Sequence, residues 1–383
     1  MKTGKVIIGA NYGDEGKGLF TDYFASQAPE DSLVIRFNGG AQAGHTVVSP
    51  DGRRHVFSHF GSGTLLGVPT FLSKFFIVNP LIFVKEYAEL AQVSETPPEI
   101  TIDPNAFLTT PFDMFINQTI EKQRAGKRHG SCGLGINETV TRSLRSPQYR
   151  LKSCDVLNST GLRRRLHELK DSWFKDRLIE LKLDPMEEGI QKFVNNTDRI
   201  IEEYIKDTQT LIDLATISDR IPPVRQVLFE GAQGLMLDED RIDQFPHVTR
   251  SKTGLTNVLH LAPQFGIEKL SVTYVSRTYL TRHGAGPLEG ESDWTLPDST
   301  NIPNQFQGTL RFAPLSLPAL EQNIEYDLHR AKNTGLDISA DLAMTCADQV
   351  PVPDTRRMFL TLKHVSFGRT RSSVCQALSS SMR

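Results

Sequence analysis

Near the N-terminus, three side chains suited to proton transfer or phosphate binding, Asp14, Lys17 and His45, stand among glycines. One segment reads Val6-Ile7-Ile8-Gly9-Ala10-Asn11-Tyr12-Gly13-Asp14-Glu15-Gly16-Lys17-Gly18. Another reads Arg36-Phe37-Asn38-Gly39-Gly40-Ala41-Gln42-Ala43-Gly44-His45-Thr46. A strand that ends in a glycine turn and opens a helix offers bare backbone N–H groups to a phosphate. A carboxylate, a lysine and a histidine on two such turns point to chemistry on a phosphorylated substrate. Asp14 is suited to act as a base or to hold Mg2+, and Lys17 to neutralise phosphate oxygens. The standard phosphate-loop pattern fails, because Asn11 occupies its first glycine position and Gly18 follows Lys17. Gly39, Gly40 and Gly44, just before His45, mark a place where backbone approaches something closely, which favours a functional histidine over a core one.

Three more glycine turns carry polar groups. Glu230-Gly231-Ala232-Gln233-Gly234 follows the buried run Val227–Phe229, and the neutral amide of Gln233 can read a base edge or support a phosphoryl group. The others are Thr281-Arg282-His283-Gly284-Ala285-Gly286-Pro287 and Gly130-Ser131-Cys132-Gly133-Leu134-Gly135. Five polar glycine turns at strand ends predict one crevice beyond the carboxyl edge of a parallel sheet.

The elements that must position these turns are legible as short apolar runs: Lys5–Ile8, Leu33–Phe37, Phe75–Val78, Val227–Phe229, Leu270–Val275 and Leu360–Val365. Near-continuous Val, Ile, Leu and Phe indicate strands covered on both faces. With helical segments between them, the fold class is α/β with a mainly parallel central sheet. Leu19, Phe20, Tyr23 and Phe24 share one face just after Lys17, so the first turn opens a helix. From about 160 to 220 the period changes: Leu162, Leu166, Leu169 and Trp173, then Phe193, Ile201, Tyr204, Ile205 and Ile212, keep helical spacing. This predicts a helical subdomain on a single domain spanning 1–383.

With 383 residues, 43 Lys+Arg and 45 Asp+Glu, the chain can bury a large core and has almost no net charge. That balance argues against a general nucleic-acid or anionic-membrane binder. The four cysteines show no C-x-x-C spacing, which argues against a zinc site or disulfide framework and suits a reducing compartment. With no apolar run of membrane-spanning length, a cytoplasmic enzyme is expected.

Together these residues resemble the adenylosuccinate synthetase family. Gly13–Gly18 resembles its Gly-Asp-Glu-Gly-Lys-Gly signature, and Ala43-Gly44-His45-Thr46 its second signature. Phe229–Gly234, Pro246-His247-Val248-Thr249 and Gly284-Ala285-Gly286-Pro287 match further blocks, in family order. The resemblance implies a P-loop-NTPase-like fold and a homodimer that joins aspartate to carbon 6 of IMP, using GTP and Mg2+ through a 6-phosphoryl intermediate. It assigns catalysis to Asp14, His45, Lys17 and Gln233, and the metal to Asp14 and the Gly44 carbonyl. For GTP it implies Gly13, Glu15, Gly16, Gly18, Gly44, Thr46, Arg311, Asp348, Ser366 and Gly368. Asp348 lies in Thr345-Cys346-Ala347-Asp348, similar to the family's guanine-reading Thr-Lys-x-Asp. For the purine nucleotide it implies Gln42, Ser131, Cys132, Arg142, Gln233, Leu237, Thr249 and His283, with Arg142, or Arg145 close by, crossing the dimer interface.

The chain departs from the family at several of these positions. Gln42 stands for Asn, Cys132 for Thr, His283 for Val and Cys346 for Lys. The loop that grips aspartate, Thr-Thr-Gly-Arg-x-Arg-Arg in the family, reads Gln307-Gly308-Thr309-Leu310-Arg311, leaving Thr309 and Arg311 for the amino donor. Losing an Arg–carboxylate pair removes about 1.5–3 kcal/mol of binding. Rival readings are a phage-type synthetase acting on dGMP, a relative with a changed amine donor, and a regulator that binds nucleotide without turnover. Asp14 and Asp348 speak against the first, where Ser and Asn are usual. Retention of an acid/base pair speaks against the last.

Overall fold

The computed structural model describes residues 2–124, 132–298 and 310–377. Val6, Ile7 and Ile8 are completely buried, because the strand Thr3–Gly9 lies inside a ten-stranded sheet with both faces covered. Alternate side chains serve opposite layers. Ile7 packs with Phe20, Phe24 and Val275, while Val6 and Ile8 pack with Val258, Leu261 and Ile324.

Across the sheet the strands run Val374–Gln376, Leu362–Ser366, Asp337–Thr345, Lys269–Arg277, Thr3–Gly9, Gln226–Gly234, Ser32–Arg36, Thr70–Leu72, Ile100–Ile102 and Thr216–Ile217. Every pairing is parallel except the outermost one, between Val374–Gln376 and its neighbour. Val6 sits in register with Phe229 on one side and Val272 on the other. Thr3–Gly9, Ser32–Arg36 and Gln226–Gly234, which carry glycine segments, therefore end at one edge, where connections leave in both directions and a crevice opens; Tyr279–Arg282, before another such turn, belongs instead to a separate antiparallel pair with Arg311–Pro314.

Two sequence expectations change. Only Ile77–Val78 of the run Phe75–Val78 is a strand, and it pairs with Phe107–Leu108 outside the main sheet. The turn ending at Gly135 precedes the helix Ile136–Arg145, and among the described residues the element before it is the helix Pro111–Gln123, not a strand. From Ser159 to Leu214 the chain is almost wholly helical, with one π-helical turn at Lys170–Phe174. Leu162, Leu166, Trp173, Ile201 and Tyr204 are buried against Phe83, Phe112 and Leu151, so these helices share one core with the elements beside the sheet.

Candidate active site

A cleft of about 1390 Å³ opens at the carboxyl edge, and the first two glycine turns form one wall. Gly13, Asp14, Gly16, Lys17 and Gly18 line it, followed by Gln42, Gly44, His45 and Thr46. Glu15 turns inward instead. Its Oε1 accepts the N–H groups of Asn11 and Gly13 at 2.8 and 3.0 Å, and its Oε2 lies 3.4 Å from Lys17 Nζ. Burial pushes the Glu15 carboxyl up, and Lys17 opposes the shift. Glu15 thus holds the turn in shape rather than facing a nucleotide, and Gly9 is required because a Cβ there would collide with its carboxylate. Gly16, at φ +99°, opens the helix Lys17–Ala25, and a Cβ on it would lie 2.8 Å from the Thr345 side chain.

Asp14 (φ 58°), Gln233 (φ 65°) and Cys346 (φ 60°) all line the cleft in left-handed backbone that non-glycine residues rarely adopt. Such geometry costs about 1–3 kcal/mol per residue and persists where the surroundings enforce it. For Asp14 the enforcement is visible: its carbonyl accepts Nε of Arg277 at 2.6 Å, and its Oδ2 lies 3.3 Å from His283 Nε2.

His45 is the most constrained group in the cleft. Its Nδ1 lies 2.7 Å from Glu230 Oε1, while its Nε2 is buried with no partner. Glu230 is completely buried and also accepts the backbone N–H of Ser62 at 3.0 Å and the Ser62 hydroxyl. His45, Arg36 and Ser62 outweigh burial and hold the Glu230 carboxyl low, so it is ionised. Burial lowers the His45 imidazole against the pull of Glu230, leaving it neutral at pH 7 with its proton on Nδ1. Nε2 is then a bare, unpartnered lone pair on a residue that lines the cleft. Gln42 gives a second such signal, since both ends of its amide are buried without partners.

Cys132, Gln233, Leu237, Thr249, His283, Asp348 and Gly368 line the remaining walls. Burial pushes the Cys132 thiol up to about 11, so it stays protonated. Ser366 lies behind the wall and donates to the Gly368 carbonyl at 2.7 Å. Ser131 and Thr309 lie outside the described residues.

Two arginines are not where the sequence put them. Arg142 is completely buried, with Nε and Nη2 donating to Asp113 at 2.9 Å and Nη2 to the Leu108 carbonyl at 2.7 Å, so it cannot reach another subunit. Arg145, by contrast, is 44 % exposed and pairs with Glu180 at 2.7 Å. Arg311 does not line the cleft; its Nη1 donates to the carbonyls of Gly284 and Gly286, each at 2.9 Å. Its remaining fork, Nε at 2.8 Å and Nη2, is taken by Glu291.

Sequence reasoning passed over Glu230, Arg277 and Arg282. Glu230 follows the apolar run Val227–Phe229 inside the strand Gln226–Gly234, where a buried ionised group needs a partner, and that was the available signal. Arg282 lines the cleft with its guanidinium 4.5 Å from the Tyr12 ring centre.

Comparison with known proteins places this geometry in a family. The model of the adenylosuccinate synthetase family matches residues 6–308. The adenylosuccinate synthetase of Borrelia turicatae is 29 % identical over 352 residues, covering 87 % of this chain and 76 % of its own. Other bacterial synthetases at 30–32 % identity are matched over 62–67 % of their own length. Two solved structures share the fold. Fully ligated adenylosuccinate synthetase from Plasmodium falciparum superposes with TM-score 0.66 at 18 % identity, over 98 % of this chain and 99 % of that one. Succinoaminodeoxyadenylate synthetase of cyanophage S-2L, bound to dGMP and to dATP as an energy donor, gives 0.64 at 16 %, over 99 % and 96 %.

Proposed function

The chain belongs to the adenylosuccinate synthetase family of C–N ligases, and from that premise we propose that it joins L-aspartate to carbon 6 of a 6-oxopurine nucleotide, IMP, at the expense of GTP. The observation that carries the reading is His45, fixed at Nδ1 by Glu230 and open at Nε2, on the same cleft as Asp14, Lys17 and Gln233. A binding module has no use for an oriented histidine opposite a strained carboxylate.

In this reading Asp14 takes the N1 proton of the purine, and the electron pair left on the ring makes O6 nucleophilic. O6 attacks the γ-phosphorus and GDP leaves. His45 steadies the developing charge with a hydrogen bond from Nε2. Since Nδ1–H already goes to Glu230, donation from Nε2 requires the imidazolium, so the otherwise neutral ring takes up a proton from solvent as the phosphates bring negative charge beside it, and the ionised Glu230 at 2.7 Å offsets the charge gained. Lys17 and Gln233 support the phosphoryl oxygens. The aspartate amine then attacks C6, and phosphate leaves with the C–O electron pair.

The Asp14 carboxylate and Gly44 carbonyl are hard oxygen donors on neighbouring turns. No cluster of three metal-ligating side chains exists among the described residues, which suits Mg2+ completed by phosphates and water. Bound there, it would neutralise phosphate charge. Asp348 supports guanine selection, accepting from N1–H and N2–H₂. Arg145, exposed at a helix end, replaces Arg142 as the arginine offered across a homodimer interface.

The test offers purified protein GTP, Mg2+ and aspartate with IMP, GMP or dGMP, and follows phosphate release and the purine ultraviolet spectrum. Product with IMP alone supports the proposal; product with dGMP alone transfers it to the phage-type reaction. Asp14→Asn and His45→Asn should abolish product while GTP still binds, and unchanged turnover in either would sink the assigned roles.

A further inference from the structure

Arg277 ends the strand Lys269–Arg277 at the floor of the cleft, 5 % exposed, and its guanidinium points three ways. Nε donates to the carbonyl of Asp14 at 2.6 Å, Nη2 to Asp298 Oδ2 at 2.7 Å, and Nη1 to the hydroxyl of Tyr279 at 3.0 Å. Tyr279 passes the contact on, donating to Gln349 Oε1 at 2.9 Å. Gln349 Nε2 donates to the Pro297 carbonyl at 3.0 Å, which closes the circuit beside Asp298. The Asp14 turn, the Pro297-Asp298 segment and the turn holding Asp348 and Gln349 are far apart in sequence, and all three line the cleft.

We infer that Arg277 is a positioning residue that ties the Asp14 turn to the Asp348-Gln349 turn, so the placement of the base depends on the wall opposite it. Only a planar, permanently charged fork can serve three acceptors in fixed directions; an ammonium on a flexible stem cannot hold all three at once. Asp14 keeps its left-handed backbone because its carbonyl is held from this side, while the Thr345 hydroxyl holds the next carbonyl, that of Glu15, at 2.8 Å. Without the fork, the Asp14 carboxylate swings while the phosphate contacts of Lys17 and Gly18 remain.

The inference rests on reading Asp14 as the base, and two readouts separate its failure from the failure of that reading. Amide hydrogen exchange of Asn11 and Gly13, whose N–H groups are held by the Glu15 carboxylate at 2.8 and 3.0 Å, needs no turnover. Arg277→Ala should speed it by about tenfold or more, the effect of losing a charge-assisted hydrogen bond that braces the turn, and Arg277→Lys by less. Unchanged exchange at Asn11 and Gly13 in both variants would overturn the inference whatever the activity. In turnover, Arg277→Ala should lower kcat by about 10–100-fold with KM for GTP nearly unchanged. Millimolar methylguanidinium, entering from the cleft, should restore part of both kcat and protection. A merely structural arginine would instead lose kcat, KM and melting temperature together without rescue, and that pattern would equally overturn it. If Arg277→Ala does not fold, Arg277→Lys carries the same comparison.

Discussion

Replacing Glu230 with glutamine keeps the shape of the side chain and removes its charge, which isolates what Glu230 does for His45. Glu230 is completely buried and accepts from His45 Nδ1 at 2.7 Å, from the Ser62 N–H at 3.0 Å and from the Ser62 hydroxyl. A glutamine has one acceptor oxygen. The Ser62 N–H is fixed by the backbone, so the amide oxygen turns toward it and the NH₂ group faces His45. A neutral imidazole facing a donor must accept at Nδ1 and carry its proton on Nε2. Long-range ¹H–¹⁵N correlation should therefore show the Nδ1–H tautomer in the parent and Nε2–H in Glu230→Gln. The variant's neutral Nε2–H can still donate to the transferring phosphoryl but without the imidazolium charge, and a neutral hydrogen bond in place of a charge-assisted one removes about 1–1.5 kcal/mol, or about 5–12-fold in kcat. KM for GTP should stay within about threefold, since the first glycine turn is untouched. The same tautomer in both proteins, or a kcat within about threefold of the parent, would refute the reasoning.

Acid sensitivity should follow His45, whose imidazole burial lowers from 6.5 to about 4. The unfolded chain takes that proton first, so the stabilisation is present above pH about 6.5 and is lost as pH falls toward 4; urea melts should show a loss of about 2 kcal/mol between pH 7 and 5 that His45→Asn largely removes. Asp327 has the opposite sign, raised by burial from 3.8 to about 6, so its cost grows as pH rises through that window. Asp327→Asn should gain about 1 kcal/mol more at pH 8 than at pH 5, and a larger gain at pH 5 would contradict the assignment. Arg142→Ala leaves Asp113 buried and unpaired and should cost about 3–5 kcal/mol in denaturant melts, against at most about 1 kcal/mol for Arg145→Ala. Glu291→Gln frees part of the Arg311 fork, but Arg311 does not line the cleft, so KM for aspartate should stay within about twofold; a fall of more than about fivefold would show that its guanidinium reaches the donor.

The buried centre of the sheet was legible because its strands are near-continuous runs of Val, Ile, Leu and Phe. Asp337–Thr345 escaped notice although it is nine residues long, since its first half, Asp337-Ile338-Ser339-Ala340-Asp341, holds a single large apolar side chain, and only Leu342, Ala343 and Met344 are completely buried hydrophobics. The strands Thr70–Leu72 and Ile100–Ile102 are too short to show a period. The helices from Ser159 onward were readable from period alone, because one face of each packs into a common core.

The cleft divides along the same line. Asp14, Lys17, His45 and Gln233 were found because each needs glycine neighbours to bring backbone near a phosphate, and glycine spacing is written in the sequence. What tunes them is not written there. Glu230 lies 185 residues from His45, Arg277 lies 263 from Asp14, and neither partner stands out by type. Arg311 shows the converse. By type and position it was the remaining clamp for a carboxylate, yet Glu291 occupies its fork and Gly284 and Gly286 take the rest. That Nη1 anchor braces the turn next to His283, whose Nε2 faces Asp14. The side chain that its type and position offered to a substrate carboxylate thus spends its whole fork inside the protein, on two backbone carbonyls and Glu291. It shapes the wall beside Asp14 from behind, and residue type alone could not tell a clamp from a brace.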